Sequence, residues 1–176
     1  MSEFFFIDIK TLDDGGFQFC PTVLICKVLE ATFMEHCNGF PTPTKFEAPL
    51  GTDADGSEAK RYWTNSYASV IGLILYMASS TIPDILFAVH QCAQFTHNTK
   101  ASNKTDMKSI FRYLQGTKDT DLVFNPSKKL VVNCYADADF ARLWKQEDPQ
   151  DPIFARSRTG CVVTFSNCPL LWVSGL

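Results

Sequence analysis

The sequence has no C-x-x-C pair, no apolar run long enough to cross a bilayer and no excess of positive charge. Its seven cysteines (Cys20, Cys26, Cys37, Cys92, Cys134, Cys161 and Cys168) are odd in number and irregularly spaced. That argues against a disulfide framework and a zinc ribbon, and it fits reduced thiols in an intracellular compartment, cytoplasm or nucleus. The apolar run from Val70 to Ala78 falls well short of the roughly 20 residues of a membrane span. The opening Met1-Ser2-Glu3-Phe4 reaches an acid too soon for a signal peptide, so no membrane partner is expected. With a net charge of -3, any grip on nucleic acid must come from a local basic surface. What the chain does have is apolar bulk. Hydrophobic residues make up 45% and include fifteen phenylalanines, which need burial and make disorder a poor description of most of the chain.

Phe4 to Lys10 reads as a strand, Asp13-Asp14-Gly15-Gly16 as a turn, and Phe17-Gln18-Phe19 as the return strand. Pro21 suits the first turn of a helix in which Leu24, Ile25, Val28 and Leu29 recur at helical spacing up to about Phe33. From Asn38 to Glu58 the prolines, glycines and aspartates leave no period, as in a linker or functional loop. Three helices are predicted next. The first, with Val70, Ile71, Leu73, Ile74, Leu75 and Met77, is apolar nearly all round and so expected to be buried. Pro83 opens the second, whose stripe is Ile85, Leu86, Val89, Cys92, Ala93 and Phe95. Ser102 or Asn103 caps the third, Met107, Ile110, Phe111 and Leu114 face inward, and Gly116 stops it. Strands follow at Leu122-Val123-Phe124, Leu130 to Tyr135, Cys161 to Phe165 and Leu170 to Val173. The last two are joined across Ser166-Asn167-Cys168-Pro169, with Leu170, Leu171 and Trp172 as core. The fold class is mixed α and β (α+β): a hairpin and helix, a helical middle and a β-rich end.

Several short stretches, in this order and spacing, resemble the C-terminal part of a copia-type retrotransposon Pol polyprotein. They are Tyr67-Ala68-Ser69-Val70-Ile71-Gly72, Leu75-Tyr76-Met77-Ala78-Ser79, Pro83-Asp84-Ile85, Arg112-Tyr113-Leu114-Gln115-Gly116-Thr117, Asp137-Ala138-Asp139-Phe140-Ala141, Arg158-Thr159-Gly160 and Leu171-Trp172-Val173-Ser174. The resemblance implies the end of the reverse transcriptase palm and thumb over residues 1–37, an irregular linker over 38–64, a helical connection over 65–129, and a partial ribonuclease H-like domain over 130–176. The chain departs from the family's usual residues at Ile82 (Arg), Asn103-Lys104 (His-Trp), Arg142 (Gly) and Gly175 (Lys), the pattern of a truncated or degenerate copy.

Asp137 and Asp139 are the sharpest chemical feature. Residues two apart on a strand face one side, so two carboxylates stand together, and hard divalent cations favour such ligands. Two ordinary acids at a solvated strand end account for the same spacing. The resemblance places Asp137, and not Asp139, at a metal-ligand position of ribonuclease H, where Mg2+ ions activate water and stabilise the leaving oxygen. The family's polymerase aspartates lie upstream of Met1 and its later nuclease carboxylates beyond Leu176, so no activity is expected from this chain alone. Lys104, Lys108 and Arg112 are four apart and line one side of a helix, a candidate grip on the phosphates of an RNA–DNA hybrid or template–primer, or else a solvated face. Asp13-Asp14 reads as a turn, and His90, Cys92 and His97 lack a fourth ligand and one common face. The rival functional readings are a non-catalytic nucleic-acid-binding or interaction module and an inert remnant. An incomplete sheet at the C-terminus is expected to be weakly stable and to favour self-association.

Overall fold

The computed structural model describes residues 2–4, 6–44, 66–96, 101–126, 129–139 and 158–175. The fold is mixed α+β and falls into two compact units, Met1–Val123 and Phe124–Leu176.

The first unit opens with a meander of β1 (Ser2–Phe4), β2 (Ile7–Thr11) and β3 (Phe17–Cys20), antiparallel in register, and β4 (Leu122–Phe124) joins the sheet beside β3. Where one strand from Phe4 to Lys10 was expected, the chain reverses, since Phe4 pairs with Ile7. Phe6 takes a positive φ of 66°, and the ammonium of Lys27 lies 3.3 Å from its ring centroid, a cation–π contact reaching this turn from the first helix. The Asp13–Gly16 turn is as expected. Leu12 N–H donates to Gly16 O at 2.8 Å, Gly15 takes a φ of 89°, and the Asp14 carboxylate accepts from Gly16 N–H.

Helix α1 (Thr22–Ala31) follows Pro21 and buries Leu24, Ile25, Val28 and Leu29. Helix α2 (Tyr67–Ser80) is capped by Ser66, whose hydroxyl accepts from Ser69 N–H. It is not buried all round: Val70, Ile71, Ile74 and Met77 face the core, while Gly72 and Leu73 are exposed. A 3-10 turn at Pro83–Ile85 leads into α3 (Leu86–Ala93), which buries Leu86, Ala88, Val89 and Cys92. Phe95 lies beyond its end. Helix α4 (Ala101–Thr117) buries Met107, Ile110, Phe111 and Leu114 to full exclusion of solvent. Two expectations fail on it. Asn103 is not a cap but lies inside the helix and is buried, because it falls on the core-facing stripe. Gly116 does not stop the helix, which runs on to Thr117; its role is close contact with Gly39.

The second unit holds β5 (Val132–Asp139), β6 (Arg158–Phe165) and β7 (Cys168–Gly175), an antiparallel meander in the order β5-β6-β7. β6 and β7 meet across only Ser166 and Asn167, both at positive φ (50° and 70°), as a two-residue hairpin of the I′ kind demands. Cys168 and Pro169 belong to the strand, contrary to the four-residue turn expected, and a bulge lies between Val163 and Thr164. Leu170 and Leu171, expected in the core, are 58% and 54% exposed on the edge strand β7, and Trp172 is half-buried. Among the described residues no helix is long and apolar enough to cross a membrane.

Candidate functional site

Asp137 stands on β5 opposite Gly160 of β6, and its side chain is exposed. By the alternation of the strand it shares a face with Asn133 and Tyr135, and with Val162 and Trp172 on the neighbouring strands. Among the described residues nothing stands within 4 Å of a Cβ built on Gly160. Asp139 pairs in register with Arg158 at the end of the ladder; the side chains of both lie outside the described residues. Among the described residues no group of three or more His, Cys, Asp or Glu side chains converges. Asp137 thus supplies one oxygen ligand on an open sheet face, which does not by itself make up the converging ligand set of a two-metal site.

The row Lys104, Lys108 and Arg112 does not form one open basic face. Residues four apart on a helix drift by about 40° at each step, so the row crosses from the core margin to the far side. Lys104 is buried at 8% exposure, and burial, with repulsion from Lys108 second, pulls its pKa below the ordinary lysine value. Lys108 is exposed. Arg112 reaches the far side, but Asn38–Phe40 lies across it. The Arg112 Nε–H donates to Asn38 O at 3.0 Å, its guanidinium lies 5.1 Å from the Phe40 ring centroid, and Phe40 N–H donates to Arg112 O at 3.0 Å. The approach is tight because Gly39 meets Gly116: a Cβ on Gly39 would stand 2.9 Å from the Gly116 Cα.

Other motif residues serve packing. Tyr67 O–H donates to the Cys92 carbonyl at 3.0 Å inside the helical core, and Tyr113 O–H donates to Asp84 Oδ2 at 2.8 Å. Burial, with the bond to Asp84 second, pushes the Tyr113 phenol up to about 12. Burial also pushes the Cys92 thiol up to about 12, with the nearby Asp106 adding to the rise, and its side chain packs in the helical core. His97 lies outside the described residues. Asp13 and Asp14 are exposed in their turn. Sequence reasoning missed the strap of Asn38–Phe40. Its one local signal is a glycine on each side, Gly39 and Gly116, and nothing in the sequence pairs them.

Over 157 residues, 85% of the chain, it is 31% identical to the retrovirus-related Pol polyprotein from transposon TNT 1-94 of Nicotiana tabacum, of which it spans 11%. Over 108 residues, 61% of the chain, it is 32% identical to the retrovirus-related Pol polyprotein from transposon RE1 of Arabidopsis thaliana, of which it spans 7%. It is 30% identical over 135 residues to an uncharacterised mitochondrial protein of Arabidopsis thaliana, covering 77% of this chain and 54% of that one. No family model and no solved structure matches. By sequence, then, the chain is similar to a short stretch of the retrovirus-related Pol polyproteins of transposons, at about 30% identity.

Proposed function

We propose that the chain is the junction segment of a copia-type Pol protein, running from the end of its reverse transcriptase through a helical connection into the first strands of ribonuclease H. The observation that carries this reading is the similarity to a Pol polyprotein along 157 residues. The helices followed by the antiparallel strands β5 to β7, with Asp137 exposed on β5, are consistent with the order of the motifs. On this reading Asp137 is one ligand of a Mg2+ site completed by carboxylates outside the matched segment, and these 176 residues alone bind the ion weakly and catalyse nothing. Contact with RNA–DNA hybrid, if made through α4, falls on Lys108 among the three basic residues of the row.

The test is the purified chain with Mg2+ or Mn2+, a primed template and an RNA–DNA hybrid. Neither primer extension nor cleavage is expected. Metal-dependent cleavage that disappears in Asp137→Asn would overturn the proposal of inactivity. Titration with the hybrid at rising salt separates a binding module from an inert product, since phosphate contacts weaken steeply with salt.

A further inference from the structure

We propose that Cys134 and Cys161 are a redox-active dithiol, which low-molecular-weight disulfides convert to an intramolecular disulfide across β5 and β6. Cys134 stands opposite Val163 and Cys161 opposite Ala136, so the two cysteines share one face of the sheet on a diagonal of the ladder. The right-handed twist of paired strands closes one of the two diagonals, and here the sulfurs are 3.6 Å apart. A disulfide needs about 2.05 Å. The remaining gap is small, and among the described residues β5 pairs with β6 alone, so it has room to adjust. Reagents also have access. Cys134 is exposed and Cys161 half-buried, whereas Cys20, Cys92 and Cys168 are buried.

The order of attack follows from the surroundings. Cys134 is the more exposed of the two and meets the reagent first. Cys134 sulfur attacks one sulfur of the oxidant, whose S–S bond breaks. The departing thiolate takes up the proton that Cys134 released, and a mixed disulfide remains. Cys161 then loses its proton and attacks the Cys134 sulfur, expelling the second small thiol. Two protein thiols and one small disulfide thus become one protein disulfide and two small thiols, with two electrons passed to the oxidant. The closed bond ties β5, the strand that bears Asp137, to β6.

The experiment treats the full chain with oxidised glutathione, quenches with acid, alkylates the remaining thiols and maps peptides by mass. In the native protein a linked Cys134–Cys161 peptide should dominate, with the chain still monomeric on a non-reducing gel. The exposed Cys26, in the other unit, serves as the reference thiol. In Cys161→Ser, Cys134 should retain its glutathione, because nothing expels it. In urea the preference for this pair should vanish. Glutathione left on both Cys134 and Cys161 of the native wild type, intermolecular links as the main product, or the same pairing in native and urea-treated protein would each overturn the proposal. The wild-type mapping stands without the variant, so a variant that misfolds does not remove the test.

Discussion

Phe33 stands where a helix ending ordinarily places glycine. Phe33 N–H donates to Glu30 O at 3.1 Å and Met34 N–H to Leu29 O at 2.8 Å, the paired bonds of a Schellman motif, and Phe33 takes the left-handed φ of 57° that the motif requires. An L residue in that region is strained by about 1–2 kcal/mol, and the side chain is 67% exposed, so little packing offsets the strain. Glycine removes the strain but gives the unfolded chain more freedom, a loss of about 0.4–1 kcal/mol. Phe33→Gly is therefore expected to stabilise the first unit by about 0.5–1 kcal/mol, read as a higher denaturant midpoint of the helical signal. Phe33→Ala, which keeps the Cβ, should show no such gain. Equal midpoints for the glycine and alanine variants would mean that the left-handed strain is not what matters at this position.

At the scale of elements, the strap on α4 makes a sharper forecast. Gly39 and Gly116 touch, but the two contacts are not symmetric. A Cβ on Gly39 meets the Gly116 backbone at 2.9 and 3.3 Å, with no flexible side chain to give way. A Cβ on Gly116 meets nothing nearer than 3.4 Å, an ordinary contact, and it sits in a helix where alanine is preferred. Gly39→Ala should therefore lift Asn38–Phe40 off α4 and destabilise the unit by about 1–3 kcal/mol. Gly116→Ala should be neutral or gain up to about 1 kcal/mol. Amide exchange at Phe40, whose N–H donates to Arg112 O, reports the strap directly, and it should quicken in the first variant alone. Quickened exchange in both would show that Gly116 has no room after all. This contact also shows where reading the sequence stops. The stripe of Met107, Ile110, Phe111 and Leu114 was legible because helical period and burial are one local pattern. The turn at Asp13–Gly16 was legible because its chemistry lies within four residues. On β5 the strand itself was legible from the run of Leu130 to Tyr135, but its exposure does not alternate, since Cys134 through Ala138 are all exposed. The burial of Lys104, the engagement of Arg112, the reversal before Ile7 and the tightening of the last hairpin to Ser166 and Asn167 are set by partners distant in sequence or by backbone angles that Phe6 and Ser166 do not advertise.

At the scale of the whole molecule, the two units are unequal in what they bury. The first holds a core shared by α1, α2, α3 and α4, with Ile74, Met77, Ile85, Val89, Met107, Ile110, Phe111 and Leu114 fully excluded from solvent. Among the described residues of the second, Cys168 is the one buried apolar side chain, while Leu130, Val132, Tyr135, Leu170, Leu171 and Val173 are each half exposed or more. One face of its sheet is apolar except at Thr159, carrying Val132, Cys134, Ala136 and Ala138 of β5, Cys161, Val163 and Phe165 of β6, and Leu171 and Val173 of β7. Each large side chain left in water forgoes burial worth roughly 1.5–3 kcal/mol. Whole domains are stable by only about 5–15 kcal/mol, so a few such losses weigh heavily. Among the described residues β5 and β7 have no further strand beside them, and such edges are ready to pair with another chain. Amide hydrogens of β5, β6 and β7 are therefore expected to exchange faster than those of α2, α3 and α4 in dilute solution. That protection should rise with protein concentration as the apolar face and edges find partners. A concentration series of exchange measurements, with the oligomeric state followed in parallel, checks both parts. Protection of the strands equal to that of the helices in a proven monomer would mean that this face is covered within the single chain, and the expectation of a weak second unit would fall.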